Sequence, residues 1–289
     1  MVHPRLSNDL YQSPMRFILE LLQNADDSDY DLNSEPVFKI FYRNRTIRFD
    51  TNEAGFSKSD VEALCSIGGS SKNKPSQPKR SIGEKGIGFK SVFGVSEAVF
   101  VASGEYSFKL STSESFDMLA PAWCSFPDQR HPGFTSILLQ LKPQFSSEKL
   151  IRELMDIDGR LLMFLQNIKR LEIGIGSNSN GDSNVHKITI ERREEHYHGH
   201  ELRVIGQGKS CSSYMMFRHR VSQMPEEDKR KGYTDTEIIL AFPADYRCAE
   251  PSIPLLERPN NVYSFLPIRD FGFKASKHSN LVDCCRLEA

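Results

Sequence analysis

The stretch Glu20-Leu-Leu-Gln-Asn-Ala-Asp-Asp27 decides the fold that we expect for this chain. It lies within residues 13–28, where apolar residues recur at the spacing of one face of an α-helix. Ser13 is a favourable N-cap residue, and Pro14 suits the first helical turn. Residues 13–28 are therefore predicted to form an amphipathic helix. Its apolar face is made of Phe17, Ile18, Leu21, Leu22 and Ala25.

A polar stripe borders that apolar face. Glu20, Asn24 and Asp27 stand at positions i, i+4 and i+7, so they lie within roughly 60° of one another around the helix axis. This spacing predicts three half-buried side chains at the wall of a pocket. A solvated polar helix face has the same spacing, so the stripe alone leaves both interpretations open.

Two further segments favour the pocket. Residues 50–56, Asp-Thr-Asn-Glu-Ala-Gly-Phe, follow a predicted strand and precede a short helix predicted over 57–65. Residues 82–93, Ile-Gly-Glu-Lys-Gly-Ile-Gly-Phe-Lys-Ser-Val-Phe, carry three glycines directly before another predicted helix. Glycines let the backbone approach a ligand closely, and N–H groups at a helix N-terminus attract phosphate. The segment is neither a P-loop, since Phe89 replaces the required lysine, nor the G-x-G-x-x-G dinucleotide motif.

The bulk composition indicates an ordinary globular protein with no global charge that would attract nucleic acid or a membrane. The chain has 289 residues, a net charge of −1 and six cysteines, whose spacing is typical of neither a zinc site nor a disulfide framework. It has no secretory signal pattern, so we expect an intracellular protein, cytoplasmic or nuclear. His196, His198 and His200 could form a metal site, but Gly199 between them favours an exposed turn.

The remaining pattern predicts a β-hairpin over residues 37–49, broken near 43–45, and a loop over 68–82 without apolar clusters. A second long helix is predicted over 147–166, with a soft domain boundary near Phe145. Further strands are predicted at 98–102, 106–110, 135–141, 170–175, 186–190, 202–205, 237–242 and 262–266.

In this order and spacing, the segments resemble the GHKL ATPase superfamily, shared by gyrase, heat-shock chaperones, histidine kinases and mismatch-repair MutL. The glycine segment 82–93 fits the ninety-kilodalton heat-shock chaperone pattern throughout, residues 66–72 resemble the entrance to their lid, and residues 133–137 resemble their late-strand threonine motif. The resemblance is closer to the NO VEIN-like subgroup, with sacsin-like proteins more distant. It is carried by the stretches at 9–30, 52–57, 63–72, 83–93 and 262–273.

This resemblance implies a Bergerat fold, an α/β two-layer sandwich in which helices cover a mixed, mostly antiparallel sheet. The implied ATP-binding domain spans residues 1–145, with a lid at 68–82. A smaller α/β, transducer-like extension would follow over 146–273. Residues 274–289 lose the subgroup's pattern, so we expect a frayed or truncated tail, or a fragment of a larger protein.

The resemblance also implies residue roles. Glu20 would be the general base that activates water, Asn24 would hold Mg²⁺, and Asp27 would line the sugar and adenine side. Thr135 would lie behind the adenine, and Lys72 and Lys85 would add positive charge. The remaining implied ATP-binding residues are Glu53, Gly55, Phe56, Gly83, Gly86, Ile87, Gly88 and Phe89.

The turn at 50–56 departs from the superfamily pattern D-x-G-x-G, whose aspartate accepts the adenine amino proton. If Gly55 is the last glycine, Thr51 occupies the aspartate's place and Glu53 that of the middle glycine. Asp50, Glu53 or the amide of Asn52 could substitute, and we prefer Glu53.

The implied function is that of a chaperone-like ATPase domain that binds Mg-ATP, hydrolyses it slowly and couples lid closure to an unknown protein client. The alternative is a non-hydrolysing interaction scaffold, which the altered adenine motif favours. A histidine-kinase-like phosphotransferase is disfavoured, because no phosphoacceptor-histidine helix is evident in the sequence.

Overall fold

In the computed structural model, the described residues are 15–65, 89–110, 121–176, 185–197, 199–223, 235–244, 260–264, 266–273 and 276–279. The fold is α/β, with a large, mostly antiparallel sheet and few helices. The described residues fall into two compact units. The first unit lies within 13–157 and 166–190, and the second lies within 158–165 and 191–289.

The described residues of the first unit form four helices, seven complete strands and the start of an eighth. The strand order is β7-β1-β2-β6-β3-β4-β5, and neighbours are antiparallel except for β1 and β7. The helices are α1 (Arg16–Asp26), α2 (Lys58–Cys65), α3 (Val92–Val95) and α4 (Ser147–Met155). The strands are β1 (Val37–Arg43), β2 (Thr46–Thr51), β3 (Ser96–Ser103), β4 (Tyr106–Leu110), β5 (Pro121–Trp123), β6 (Thr135–Leu141) and β7 (Arg170–Gly176).

Helix α1 packs its apolar face against the sheet, as the periodicity predicts. Phe17 is buried, and its ring contacts that of Phe49 on β2 edge to face, with centroids 6.1 Å apart. Ile18 and Leu22 are buried on the same helix. The predicted helix is confirmed over 16–26, while its expected capping residues 13 and 14 lie outside the described residues.

The predictions of the first hairpin and of helix α2 are confirmed. The hairpin turns at Asn44 and Arg45, both with positive φ, at 48° and 60°, and this geometry suits a two-residue hairpin loop. Ser57 and Asp60 cap α2 reciprocally. The Ser57 N–H donates to Asp60 Oδ2 at 2.8 Å, and the Asp60 N–H donates to Ser57 Oγ at 3.3 Å.

The single helix predicted over 147–166 is wrong. Helix α4 ends at Met155, and a 3₁₀ turn follows at Gly159–Leu162. The Asp158 carboxylate accepts a hydrogen bond from the Arg160 N–H, which begins this turn separately. Residues 161–165 are all buried, so this run lacks the exposed face that a continued amphipathic helix would have.

The second unit contains this 3₁₀ turn. The order of its described strands is β13-β12-β14-β11-β10-β9-β8. Two buried guanidinium groups bind carbonyl oxygens of the turn region: Arg192 donates to Leu162 O and Leu165 O, and Arg203 donates to Met163 O. The strands are β8 (Val185–Tyr197, which begins in the first unit), β9 (His200–Gln207), β10 (Ser210–Val221), β11 (Thr236–Ala244), β12 (Asn260–Ser264), β13 (Leu266–Phe273) and β14 (Ser276–Ser279).

Strand β10 was not predicted, and the strand predicted over 262–266 is divided between β12 and β13. The histidine stretch forms the expected turn: β8 ends at Tyr197, Gly199 has a φ of +83°, and β9 begins at His200. The loop over 68–82 lies outside the described residues. None of the described helices is long and apolar enough to cross a bilayer.

The C-terminal end of α1 is fixed by a buried carboxylate. Asp26 is 1% exposed, and its two carboxylate oxygens accept hydrogen bonds from the N–H groups of Gln166, Asn167 and Ile168 at 2.7–2.8 Å. The Asn167 side-chain amide also donates to the Asp26 carbonyl oxygen at 2.7 Å. This carboxylate therefore satisfies three backbone donors about 140 residues away in sequence.

Asp26→Ala should lower the free energy of unfolding by about 3–5 kcal/mol, because it leaves buried N–H donors without an acceptor. Urea denaturation monitored by circular dichroism measures this loss. Asp156→Ala, at the exposed end of α4, is the matched control and should change stability by less than about 0.5 kcal/mol. Equal effects of the two substitutions would contradict the structural role given to Asp26.

Candidate functional site

The polar stripe of α1 lies at the edge of the buried core. Glu20, Asn24 and Asp27 are half-buried, as the helical spacing predicts. The Glu20 side chain is 25% exposed, and one of its carboxylate oxygens lies 3.7 Å from Arg16 Nε. Arg16 itself is 58% exposed, so this pair leaves the Glu20 carboxylate close to solvent and contributes little to stability.

Two hydrogen bonds join the segment that follows α1 to the end of β2 and the turn after it. The Ala54 N–H donates to the Asp29 carbonyl oxygen at 2.8 Å. The Tyr30 hydroxyl lies 2.8 Å from the Ala25 carbonyl oxygen and 3.0 Å from Thr51 Oγ1. Two segments that the sequence separates by more than twenty residues therefore meet at one place.

The turn at 52–56 is itself well fixed. The Asn52 amide accepts from the Val37 N–H at 2.8 Å and donates to the Glu35 carbonyl oxygen at 2.9 Å. Gly55 has a φ of +91°, a conformation that favours glycine. The Phe56 N–H donates to Ser103 Oγ at 2.8 Å. Both sides of the Asn52 amide are thus engaged by the backbone, which argues against this amide as the adenine partner.

A row of buried hydroxyl groups lies beside the turn, on the face of the sheet that packs against α1. Thr51 on β2 is the Cα partner of Thr135 on β6, so their side chains share a face. Thr135 Oγ1 lies 2.6 Å from Ser103 Oγ on β3. The row Ser103, Thr135 and Thr51 therefore crosses three adjacent strands and continues to the Tyr30 hydroxyl.

Asp50 lies on the other face of the sheet, because side chains alternate along β2 and Thr51 faces α1. Its Oδ1 accepts from Arg48 Nε at 2.9 Å and from Ser136 Oγ at 2.5 Å. Arg48 also donates to Asp128 Oδ2 at 2.8 Å. This buried network argues against the prediction that Asp50 substitutes for the superfamily's adenine-binding aspartate.

Glu53 remains beside the turn, with one carboxylate oxygen shielded from solvent. It lies close enough to Tyr30 for its negative charge to act on the phenol. Burial of Tyr30 raises the pKa of its hydroxyl well above the ordinary value, opposed by the hydrogen bond with Thr51 and reinforced by the charges of Glu53 and Asp26. The Tyr30 hydroxyl therefore keeps its proton throughout the physiological range.

The end of the glycine segment also lies against α1. The Phe89 side chain is buried and contacts the Phe93 ring edge to face, with centroids 6.4 Å apart. The 3₁₀ turn Phe89–Ser91 contacts α1 directly. The other predicted phosphate-side residues, Lys72, Gly83, Lys85, Gly86, Ile87 and Gly88, lie outside the described residues.

The structure brings together most of the described candidate residues and adds three that sequence reasoning missed. Glu53, Gly55, Phe56 and Thr135 lie around one turn, which hydrogen bonds join to the helix that carries Glu20, Asn24 and Asp27. Tyr30, Ser103 and Asp26 were missed because their partners are distant in sequence. The only signal was the presence of Tyr30 and Asp26 within the stretch 9–30 that carried the family resemblance.

Comparison with known proteins relates part of this chain to a plant protein. No family model matches the chain. A stretch of 109 residues, 38% of this chain, is 43% identical to Protein NO VEIN from Arabidopsis thaliana. The chain covers only 4% of the length of that relative. The likeness is therefore to a small part of a much longer protein, and the name of that protein specifies no activity.

Tyr30→Phe should lower the free energy of unfolding at pH 7–9 by about 1–2 kcal/mol, because the half-buried hydroxyl makes two hydrogen bonds. Above pH 10 this difference should shrink. The folded-state pKa of Tyr30 is raised, so the folded protein retains a proton that the unfolded chain loses from about pH 10 upward, and stability falls as pH rises. Tyr30→Phe has no hydroxyl to titrate at this position, so its stability does not fall for this reason.

Urea denaturation of both proteins between pH 7 and 11 measures the difference. A difference that stayed constant or grew above pH 10 would contradict the raised pKa assigned to Tyr30.

Proposed function

We propose that this chain contains a Mg-ATP-binding domain of the GHKL type, with the Bergerat arrangement of helices over a sheet. The single observation that supports this most is the joint between α1 and the 52–56 turn. The Ala54–Asp29 hydrogen bond and the Tyr30–Thr51 contact bring the polar stripe of α1 to the turn where this superfamily binds the adenine base. The sequence likeness to part of NO VEIN supports the same subgroup.

The residues of α1 fit a magnesium ion bound together with a triphosphate. The carboxamide oxygen of Asn24 is a hard ligand on a half-buried side chain, and Mg²⁺ needs few protein ligands because it retains water and binds phosphate oxygens. The described residues contain no group of three or more His, Cys, Asp or Glu side chains that could hold a metal ion. Asn24 would therefore hold the ion jointly with the nucleotide, and the ion would neutralise charge on the phosphates.

The other residues have roles that follow from their positions. Glu20, four residues before Asn24 on the same stripe and partly open to solvent, would take a proton from the attacking water. Asp27, Glu53, Gly55, Phe56 and Thr135 would line the sugar and base end. Lys72, Lys85 and the backbone at Gly83, Gly86, Ile87, Gly88 and Phe89 would hold the phosphates.

The output of such a site would be conformational. A lid at 68–82 would close over ATP and change the affinity of the protein for a client, with slow hydrolysis resetting the lid. Residues 146–273 would act as the transducer-like extension. We place the protein inside the cell, in the cytoplasm or nucleus, and expect neither membrane nor nucleic acid as a partner.

Mg-ATP at 100 times its dissociation constant should stabilise the chain by about 2.7 kcal/mol, which for a protein of this size is a shift of several degrees in Tm. Asn24→Ala should abolish the magnesium-dependent part of this shift. Asn33→Ala, on the exposed loop after α1, is the matched control and should retain the shift. A cooperative melt without any nucleotide-dependent shift in the unchanged chain would refute ATP binding.

One alternative has a specific observation in its favour. If Gly55 is the last glycine of the motif, Thr51 takes the place of the superfamily's aspartate, and this departure fits a domain that binds nucleotide without hydrolysing it and serves as an interaction scaffold. Both functions require the same fold, but only the first includes ATP hydrolysis. A measurement of ATP hydrolysis therefore distinguishes them.

Glu20→Ala should leave Mg-ATP binding intact and reduce single-turnover hydrolysis by about 10²- to 10⁴-fold, the range ascribed to a general base. The exposed Glu97→Ala variant should hydrolyse ATP at the unchanged rate. Hydrolysis that persists in Glu20→Ala would remove Glu20 as the base. Binding without hydrolysis in the unchanged chain would establish the scaffold.

A further inference from the structure

The direction of the hydrogen bonds at Tyr30 can be deduced from the atoms that surround it. Its hydroxyl lies 2.8 Å from the Ala25 carbonyl oxygen and 3.0 Å from Thr51 Oγ1. A phenolic hydroxyl has one hydrogen, and a carbonyl oxygen has none. The contact with Ala25 is therefore favourable only if Tyr30 donates. Tyr30 must then accept in its other contact, so Thr51 is the donor.

This arrangement fixes the hydrogen-bonding character of Thr51. Its only hydroxyl hydrogen points to Tyr30, and Oγ1 retains only acceptor capacity towards any third group. The reverse arrangement would set lone pairs of Tyr30 against the Ala25 carbonyl in a half-buried position, which is unfavourable. Burial keeps Tyr30 protonated, so Thr51 has the same character throughout the physiological pH range.

Within the proposed function, Thr51 is a buried residue at the base end of the site. It ends β2, faces α1, and is directly opposite Thr135 on β6. Within the proposed function, Thr135 lies behind the base, and Thr51 occupies the position of the superfamily's aspartate. At this position, a hydroxyl group that only accepts hydrogen bonds would replace a carboxylate that only accepts hydrogen bonds.

We propose that Thr51, held as a hydrogen-bond acceptor by Tyr30, selects purine nucleotides that carry a 6-amino group. This inference rests on the proposed function and adds its specificity. A 6-amino group donates to Thr51 Oγ1, whereas a 6-oxo group would present lone pairs to the lone pairs of Thr51. Tyr30 is a positioning residue in this account, because it acts only through the proton of Thr51.

The test compares the affinities of three triphosphates by calorimetry in the presence of Mg²⁺: ATP, inosine triphosphate with its 6-oxo group, and purine riboside triphosphate without any 6-substituent. The unchanged chain should bind ATP about tenfold more tightly than either of the others, the value of roughly one hydrogen bond. Thr51→Val should bind ATP no better than purine riboside triphosphate. Thr51→Ser, which keeps the hydroxyl, should retain the preference.

Tyr30→Phe supplies a result that a merely structural role would not give. Without the phenolic oxygen, the Thr51 hydrogen is free to rotate towards the base and donate to a 6-oxo group. Inosine triphosphate should then bind several-fold more tightly than it binds the unchanged chain, and the preference for ATP should fall to about twofold or less. Tyr42→Phe, which removes another buried tyrosine hydroxyl on β1, should leave the preference unchanged.

The outcomes separate this inference from the proposed function. Equal binding of all three triphosphates by the unchanged chain would overturn the inference and leave nucleotide binding in place. So would a preference for ATP that survives Thr51→Val and Tyr30→Phe but disappears in Glu53→Gln, because Glu53 would then read the amino group. Failure of the unchanged chain to bind any of the three would overturn both.

Discussion

The rest of the site depends on one buried carboxylate. Asp26 accepts three backbone hydrogen bonds from residues 166–168 and thereby fixes the position and rotation of α1 at its C-terminal end. Because the apolar face of α1 is set against the sheet through Phe17 and Phe49, the polar stripe can lie only along the edge of that contact. Rotation of the helix would bury Glu20 or expose the core, and both changes are unfavourable. The position of the stripe is therefore a consequence of packing.

The second constraint is the turn at 52–56, which is fixed from three sides. The Asn52 side chain binds the chain at the start of β1, the Ala54 N–H binds the segment after α1, and the Phe56 N–H binds Ser103 on β3. A turn fixed in this way needs little reorganisation when a ligand binds beside it, and such preorganisation favours affinity. Hydrogen bonding also determines the proton arrangement of the Tyr30 hydroxyl, so contacts that fold the chain also orient the hydroxyl groups of Tyr30 and Thr51.

Sequence reasoning succeeded where the determinants are local. The hairpin turn at 44–45 and the cap at Ser57 depend on neighbouring residues, so their patterns were sufficient. The helix predicted over 147–166 was wrong, because its apolar spacing continues through residues that fold as a separate buried turn. Asp26 and Tyr30 could not be assigned from sequence, since their partners are up to about 140 residues away and backbone acceptors and donors have no sequence signature. The roles of the described candidate residues towards a nucleotide stay predictions.

We propose that α1, the 52–56 turn and the start of β6 form one nucleotide pocket. Photolabelling with 2-azido-ATP in the presence of Mg²⁺, followed by mass-spectrometric mapping of the modified peptides, tests it most directly. We expect adducts within residues 51–56 or 133–136, saturable and prevented by excess Mg-ATP. Adducts confined to the strands at 200–221, or labelling that Mg-ATP does not suppress, would contradict a nucleotide pocket at this place.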